Sequence, residues 1–117
     1  MTEYILLFPA DDETVWRAAT AAERQVTFDT DAEFVRLLAA RGGAVVGGAA
    51  LEDSTHTRTL RRGGSDVVIT DGPYAETVEQ MSGFYVVTCD DYDDLVDAAR
   101  VLTRVHPVVE IRPVDNS

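Results

Sequence analysis

The stretch from Gly83 to Arg112 constrains the fold more than any other part of the chain. It opens with an apolar run, Gly83-Phe84-Tyr85-Val86-Val87-Thr88-Cys89. Its length and its β-branched and aromatic content are those of a buried strand. Asp90 to Arg104 follows, with Leu95, Ala98, Ala99 and Leu102 at the spacing of one helical face. Asp90 stands at the cap position, and Asp91, Asp93 and Asp94 complement the positive end of the helix. Pro107 to Arg112 reads as a closing strand, with the proline at its start, where no ladder donor is lost.

The N-terminal part repeats this order. Tyr4-Ile5-Leu6-Leu7-Phe8 is a short apolar strand ended by Pro9. Asp11-Asp12-Glu13 places negative charge where a helix start welcomes it. Thr20 to Glu23 and Thr30 to Glu33 both have the spacing of a capping box. Residues 21 to 41 are therefore one helix or two, stopped by Gly42-Gly43. A second strand runs from Ala44 to about Leu51. Thr57 to Arg62 and Ser65 to Thr70 alternate as a hairpin about Gly63-Gly64. That register sets Leu60 opposite Val67, Arg61 opposite Asp66 and His56 opposite Asp71. The polar stretch from Thr70 to Ser82 reads as an irregular insert.

The resulting order is β-α-β-hairpin-loop-β-α-β. It predicts an α+β, ferredoxin-like sandwich with an inserted hairpin, one domain over residues 1–117. Helices cover one face of such a sheet, and a second copy is the simplest cover for the other, so a homodimer is expected.

Composition narrows the function classes. The chain of 117 residues carries a formal net charge of −11, and its ten basic residues are all arginine. An acidic surface repels phosphate backbones, so no nucleic-acid partner is expected. One cysteine, Cys89, allows no intrachain disulfide and fits a reducing compartment. The N-terminus reads as neither a signal peptide nor a membrane span, so the expected location is cytoplasmic, without membrane contact. No Walker loop, GxGxxG, CxxC or Ser-His-Asp order occurs, and neither a cofactor nor a metal is expected.

Thr70-Asp71-Gly72-Pro73-Tyr74-Ala75-Glu76-Thr77-Val78-Glu79-Gln80, running on to Gly83-Phe84-Tyr85, resembles the hallmark segment of the DGPF branch of the YCII-related family. Thr59-Leu60-Arg61 before a glycine turn is similar to that family's hairpin, and Glu110-Ile111-Arg112-Pro113 to its closing strand. The likeness covers most of the chain from about Gly42 onward. Tyr74 stands where the family name has Phe, and Val78 where a Lys is frequent. The resemblance implies a dimeric α/β barrel, with two sheets face to face and a cleft beside the DGPF loop. It also implies a weak link to alternative sigma factors, with which the family travels in some bacterial genomes. Enzyme-like members use a His-Asp pair whose His lies earlier than either His56 or His106, so that pair is not carried over.

Asp71 is the first candidate for chemistry, as a carboxylate held where the backbone turns. It acts as general acid or base if shielded, or caps an Asx turn if its oxygens take main-chain N–H groups. His56, set opposite Asp71 by the expected register, completes an acid-base dyad or is a surface histidine at a strand end. Tyr74, Glu76 and Arg61 are candidate substrate contacts. Their alternatives are an aromatic anchor, a solvated acidic turn and a solvated hairpin tip. Glu76 and Glu79 are three apart, so one helical turn would set them on one face, but their spacing matches no calcium loop. His106, before Pro107, reads as a loop residue.

Two functions follow as expectations. One is a small-molecule cleft beside residues 70–79 with acid-base, isomerase- or lyase-like chemistry. The other is a non-catalytic binding or regulatory module, linked to sigma-factor-dependent transcription, that works through its acidic surface.

Overall fold

The computed structural model describes residues 2–74 and 82–116. Among these, the elements run β1 (Thr2–Leu7), α1 (Glu13–Ala18), α2 (Ala21–Ala40), β2 (Ala44–Ala50), β3 (Arg58–Gly63), β4 (Asp66–Asp71), β5 (Gly83–Cys89), α3 (Tyr92–Ala99) and β6 (Glu110–Pro113). The fold is α+β. β2, β5, β1 and β6 lie side by side in that order, each antiparallel to its neighbour. β3 and β4 pair only with each other, as a separate two-stranded ribbon. Among the described residues no closed barrel forms within the single chain.

The core is where the alternation of the strands meets the stripes of the helices. Tyr4, Leu6 and Phe8 point to one face of the sheet beside Val87 and Cys89, and Phe34, Leu38, Leu95 and Leu102 cover them. Each fully buried side chain of this size contributes roughly 1.5–3 kcal/mol. The other face carries Ile5, Leu7, Phe84 and Val86, all half-buried.

Local signals account for the helices. Asp12 caps α1 by accepting from the Thr14 and Val15 amides at 2.9 and 3.3 Å. Thr20 and Glu23 form the expected capping box at the start of α2. Residues 21 to 40 are one helix. Thr30 starts no second one, because its hydroxyl donates to the Val26 carbonyl one turn back at 2.7 Å. The Gly42 and Gly43 amides close onto the Ala39 and Leu38 carbonyls and end it.

Three boundaries move. Asp91, not Asp90, caps α3, because Asp90 continues directly from the end of β5. The helix then tightens into a 3₁₀ turn over Arg100–Arg104 instead of remaining α-helical. Pro107 lies outside the last strand, which starts at Glu110.

The hairpin register also differs. Gly64 and Ser65 form the turn, with Gly64 at φ +64°, the first central position that favours glycine. Gly63 instead joins the ladder opposite Asp66. Each partner on β4 is displaced by two residues, so Leu60 faces Ile69, Arg61 faces Val68 and Arg58, not His56, faces Asp71. Leu60, Val67 and Ile69 share one face of the ribbon, and all three are more than half exposed. The radius of gyration, 16.3 Å, exceeds the roughly 13 Å of a compact chain of this length.

Candidate functional site

An antiparallel sheet of this order collects four chain ends in one place. β1 and β2 finish there, and β5 and β6 begin there, as the pairings Leu7 with Phe84 and with Glu110, and Ala49 with Phe84, require. The loop after β1 therefore meets the segment before β6. Asp11 sits on the first and His106 on the second.

His106 is 5 % exposed. Its ring stacks on Phe8 at 3.9 Å between centroids. Nδ1 lies 2.9 and 3.1 Å from the two carboxylate oxygens of Asp11, and Nε2 lies 3.2 Å from Asp31 Oδ1 on α2. Tyr85, on β5, donates its hydroxyl to Asp31 Oδ2 at 2.9 Å. Ser82 donates its hydroxyl to Asp11 Oδ2. A polar chain, Ser82–Asp11–His106–Asp31–Tyr85, thus runs through the end of the molecule. Every buried side-chain nitrogen and oxygen among the described residues has a hydrogen-bond partner.

Burial alone lowers the pKa of an imidazole. Here the hydrogen bonds to Asp11 and Asp31, and the negative charge of both, outweigh burial and raise His106 from 6.5 to about 9. At neutral pH it is an imidazolium between two carboxylates. Burial, then the charge of Asp31, then the hydrogen bond to it push the Tyr85 phenol well above its ordinary value.

This chain forms the floor of a cavity of about 970 Å³. That volume lies at the upper end of those that hold small organic ligands. Phe8 and Tyr85 join the floor, while Val15, Trp16 and Phe28 form an apolar wall. The facing wall is β2 from Gly47 to Ala50, where side chains are small or absent. β2 bulges between Val45 and Gly47. Beyond the bulge, at Gly48 (φ +143°), a Cβ would collide with the Phe84 carbonyl oxygen, so the backbones approach as only glycine allows.

α1 crosses the mouth. Trp16 packs edge-on against Phe28 at 5.7 Å, and the Arg24 guanidinium holds the Trp16 carbonyl at 2.8 Å from Nη2. Across the opening, Glu13 accepts from the Ser54 amide and hydroxyl at 2.8 and 2.7 Å, and Arg17 pairs with Asp53. Among the described residues no group of three or more His, Cys, Asp or Glu side chains is arranged to hold a metal ion. No helix among them is long and apolar enough to cross a membrane.

The described residues singled out from sequence lie elsewhere. His56 ends a 3₁₀ turn before β3, with Nδ1 3.3 Å from Glu52 Oε2, and is exposed. Asp71 ends β4, exposed and opposite Arg58. Arg61 stands on the other face of the ribbon from Asp71, since it is three residues from Asp71's partner Arg58. Tyr74 is 75 % exposed. Glu76 and Glu79 lie outside the described residues. The expected pairing of His56 with Asp71 does not occur, because the turn forms one residue later than the glycine pair suggests. None of the described residues from Thr70 to Tyr74 lines this cavity.

His106, Asp11, Asp31 and Tyr85 were not singled out. The neighbouring β1 and β6 ends of the expected sheet held the available clue, because they bring Asp11 and His106 together. Asp31 had none, since an acid on a helix surface reads as solvated.

Comparison with known proteins gives a family match and a relative. The sequence pattern of the YCII-related domain covers residues 3–115. An uncharacterised protein of Rhizobium meliloti (strain 1021) is 34 % identical over 107 residues, which span 89 % of this chain and 76 % of that protein.

Proposed function

The chain belongs to the YCII-related family, and from that premise we propose that it binds a small organic molecule over the His106 network and moves a proton there. The observation that carries this reading is an almost fully buried imidazole, held by carboxylates at both nitrogens, at the floor of an apolar cavity. Ions are taken out of water at a cost of several kcal/mol each unless well paired. The His106 imidazolium is the shared counter-ion of Asp11 and Asp31 in this setting. A carboxylate so held accepts a proton from a bound ligand and returns it at another atom, which is isomerase- or lyase-like chemistry without an electron carrier.

The test is a thermal-shift screen of small organic molecules against the wild type and an Ala50→Trp variant, which fills the cavity from β2, because Ala50 pairs with Gly83 on the Tyr85 face of the sheet. True ligands stabilise the wild type by mass action and leave the variant unmoved. Hits that shift both proteins equally contradict the proposal. For any compound that turns over, Asp11→Asn is expected to lose about 10²–10⁴-fold in kcat with KM nearly kept.

A second reading rests on the same atoms. Both ring nitrogens of His106 are committed, which is also the geometry of a purely structural ion cluster. The protein is then a binding or regulatory module, and no compound turns over.

The proposal extends to assembly. The ferredoxin-like sheet of one copy packs its bare face on that of another, as a dimeric α/β barrel. Ile5, Leu7, Phe84 and Val86 support this as an apolar face without a helical cover. Asp71, Tyr74 and Arg61 stand at the partner-facing ribbon in this arrangement. Light scattering is expected to give twice the chain mass, and Val86→Arg to give the single mass.

A further inference from the structure

The charges around the cavity are lopsided. Among the described residues, seven carboxylates line it against two cationic side chains, Arg17 and His106. Both cations are already engaged, Arg17 with Asp53 and His106 with Asp11 and Asp31. The described lining therefore holds no uncommitted cation to receive an anionic group.

The floor also dictates the direction of hydrogen bonding. A carboxylate accepts only, with about four lone-pair sites over its two oxygens. His106 and Tyr85 occupy part of the capacity of Asp31, and His106 and Ser82 part of that of Asp11. What remains towards the cavity is acceptor capacity, so a ligand must bring donors. Above the floor the walls are aromatic, with Phe8, Trp16 and Phe28 around the space. Aromatic faces attract cations as well as apolar surface. The net charge of −11 adds a long-range attraction of the same sign.

Resting on the cavity reading above, we propose that this site takes an organic cation: a primary or secondary amine carried on an aromatic or compact apolar skeleton. The ammonium group sits over Asp11 and Asp31, and the skeleton lies between the Trp16–Phe28 wall and the small-residue strand. Carboxylate and phosphate ligands are excluded, because they bring charge of the same sign as the rim and no donors for the floor.

Three near-isosteric probes test this by titration calorimetry at low ionic strength: 2-phenylethylamine, 2-phenylethanol and phenylacetate. The amine is expected to bind at least about ten-fold tighter than the alcohol, since charge-assisted hydrogen bonds are roughly twice as strong as neutral ones. Phenylacetate is expected not to bind, and salt to weaken the amine alone. Ala50→Trp abolishes binding of amine and alcohol together. Asp31→Asn brings the amine close to the alcohol. Glu52→Gln, at the rim and away from the floor network, lowers amine affinity by a smaller factor and guards against a folding defect in the first variant. If the alcohol binds as tightly as the amine and both are lost in Ala50→Trp, the cation preference is overturned while the cavity reading stands. Amine binding that survives Ala50→Trp is surface attraction and overturns the preference too. If no probe binds saturably, both fall.

Discussion

The chain has two histidine–carboxylate arrangements, and they are opposites. His56 lies exposed beside Glu52 at the foot of the ribbon, with Asp71 at the ribbon's far strand end. His106 lies buried at the end of the sheet between Asp11 and Asp31. The residue types are the same. Water makes the difference, because an exposed ion pair is worth about 0–1 kcal/mol and is screened by salt. A buried pair is a high-stakes arrangement in which losing one partner strands the other. Candidate chemistry belongs where charges are fixed and desolvated, and here that is the end of the sheet.

Substitution tests the contrast most severely. His106→Ala leaves Asp11 and Asp31 without their shared counter-ion and is expected to cost about 3–5 kcal/mol by denaturant melts. His56→Ala is expected to stay within about 0.5 kcal/mol of wild type. Equal losses at the two sites would break the comparison.

The next effect is in pH. The folded pKa of His106 is raised above its unfolded value, so its contribution to stability is complete below about pH 6.5 and disappears as pH rises through about 9. The size is on the order of 3 kcal/mol. The melting temperature should therefore decline across that window in the wild type and not in His106→Gln. A wild-type profile flat from pH 6.5 to 9 means that the imidazolium is not held as the geometry implies.

A smaller change sharpens the network itself. Tyr85→Phe removes one donor to Asp31 and little volume, and is expected to cost about 1–2 kcal/mol. At the bottom of the range, Asp71→Asn on the exposed strand is expected to change stability by less than about 0.5 kcal/mol. A loss of several kcal/mol there would show that the ribbon has a buried role.

Much of the fold was legible because its signals are local. The Thr20–Glu23 box starts a helix wherever it is placed, since the reciprocal bonds span three residues. The strands β1, β2 and β5 read from their apolar runs, and the α+β order followed from them. Thr30 to Glu33 had the same spacing as the first box yet starts no helix, because the turn before it was already helical and took its hydroxyl. The hairpin was seen, but its register depended on which two residues make the turn, a choice between neighbouring glycines of similar local energy.

The site was much less legible. Asp11 and His106 are 95 residues apart, and Asp31 and His106 are 75 apart. No periodicity links them.

What the amino-acid sequence determined by itself is the family, the kind and order of its elements, the caps of its helices and a surplus of negative charge. Those properties come from near neighbours or from composition. Tertiary structure alone decided that His106 is buried, that two distant carboxylates hold it, and that the exposed candidates on the ribbon stand apart from the cavity. The reason is that burial and charge pairing are properties of the packed sheet ends, created only when strands far apart in the chain lie side by side.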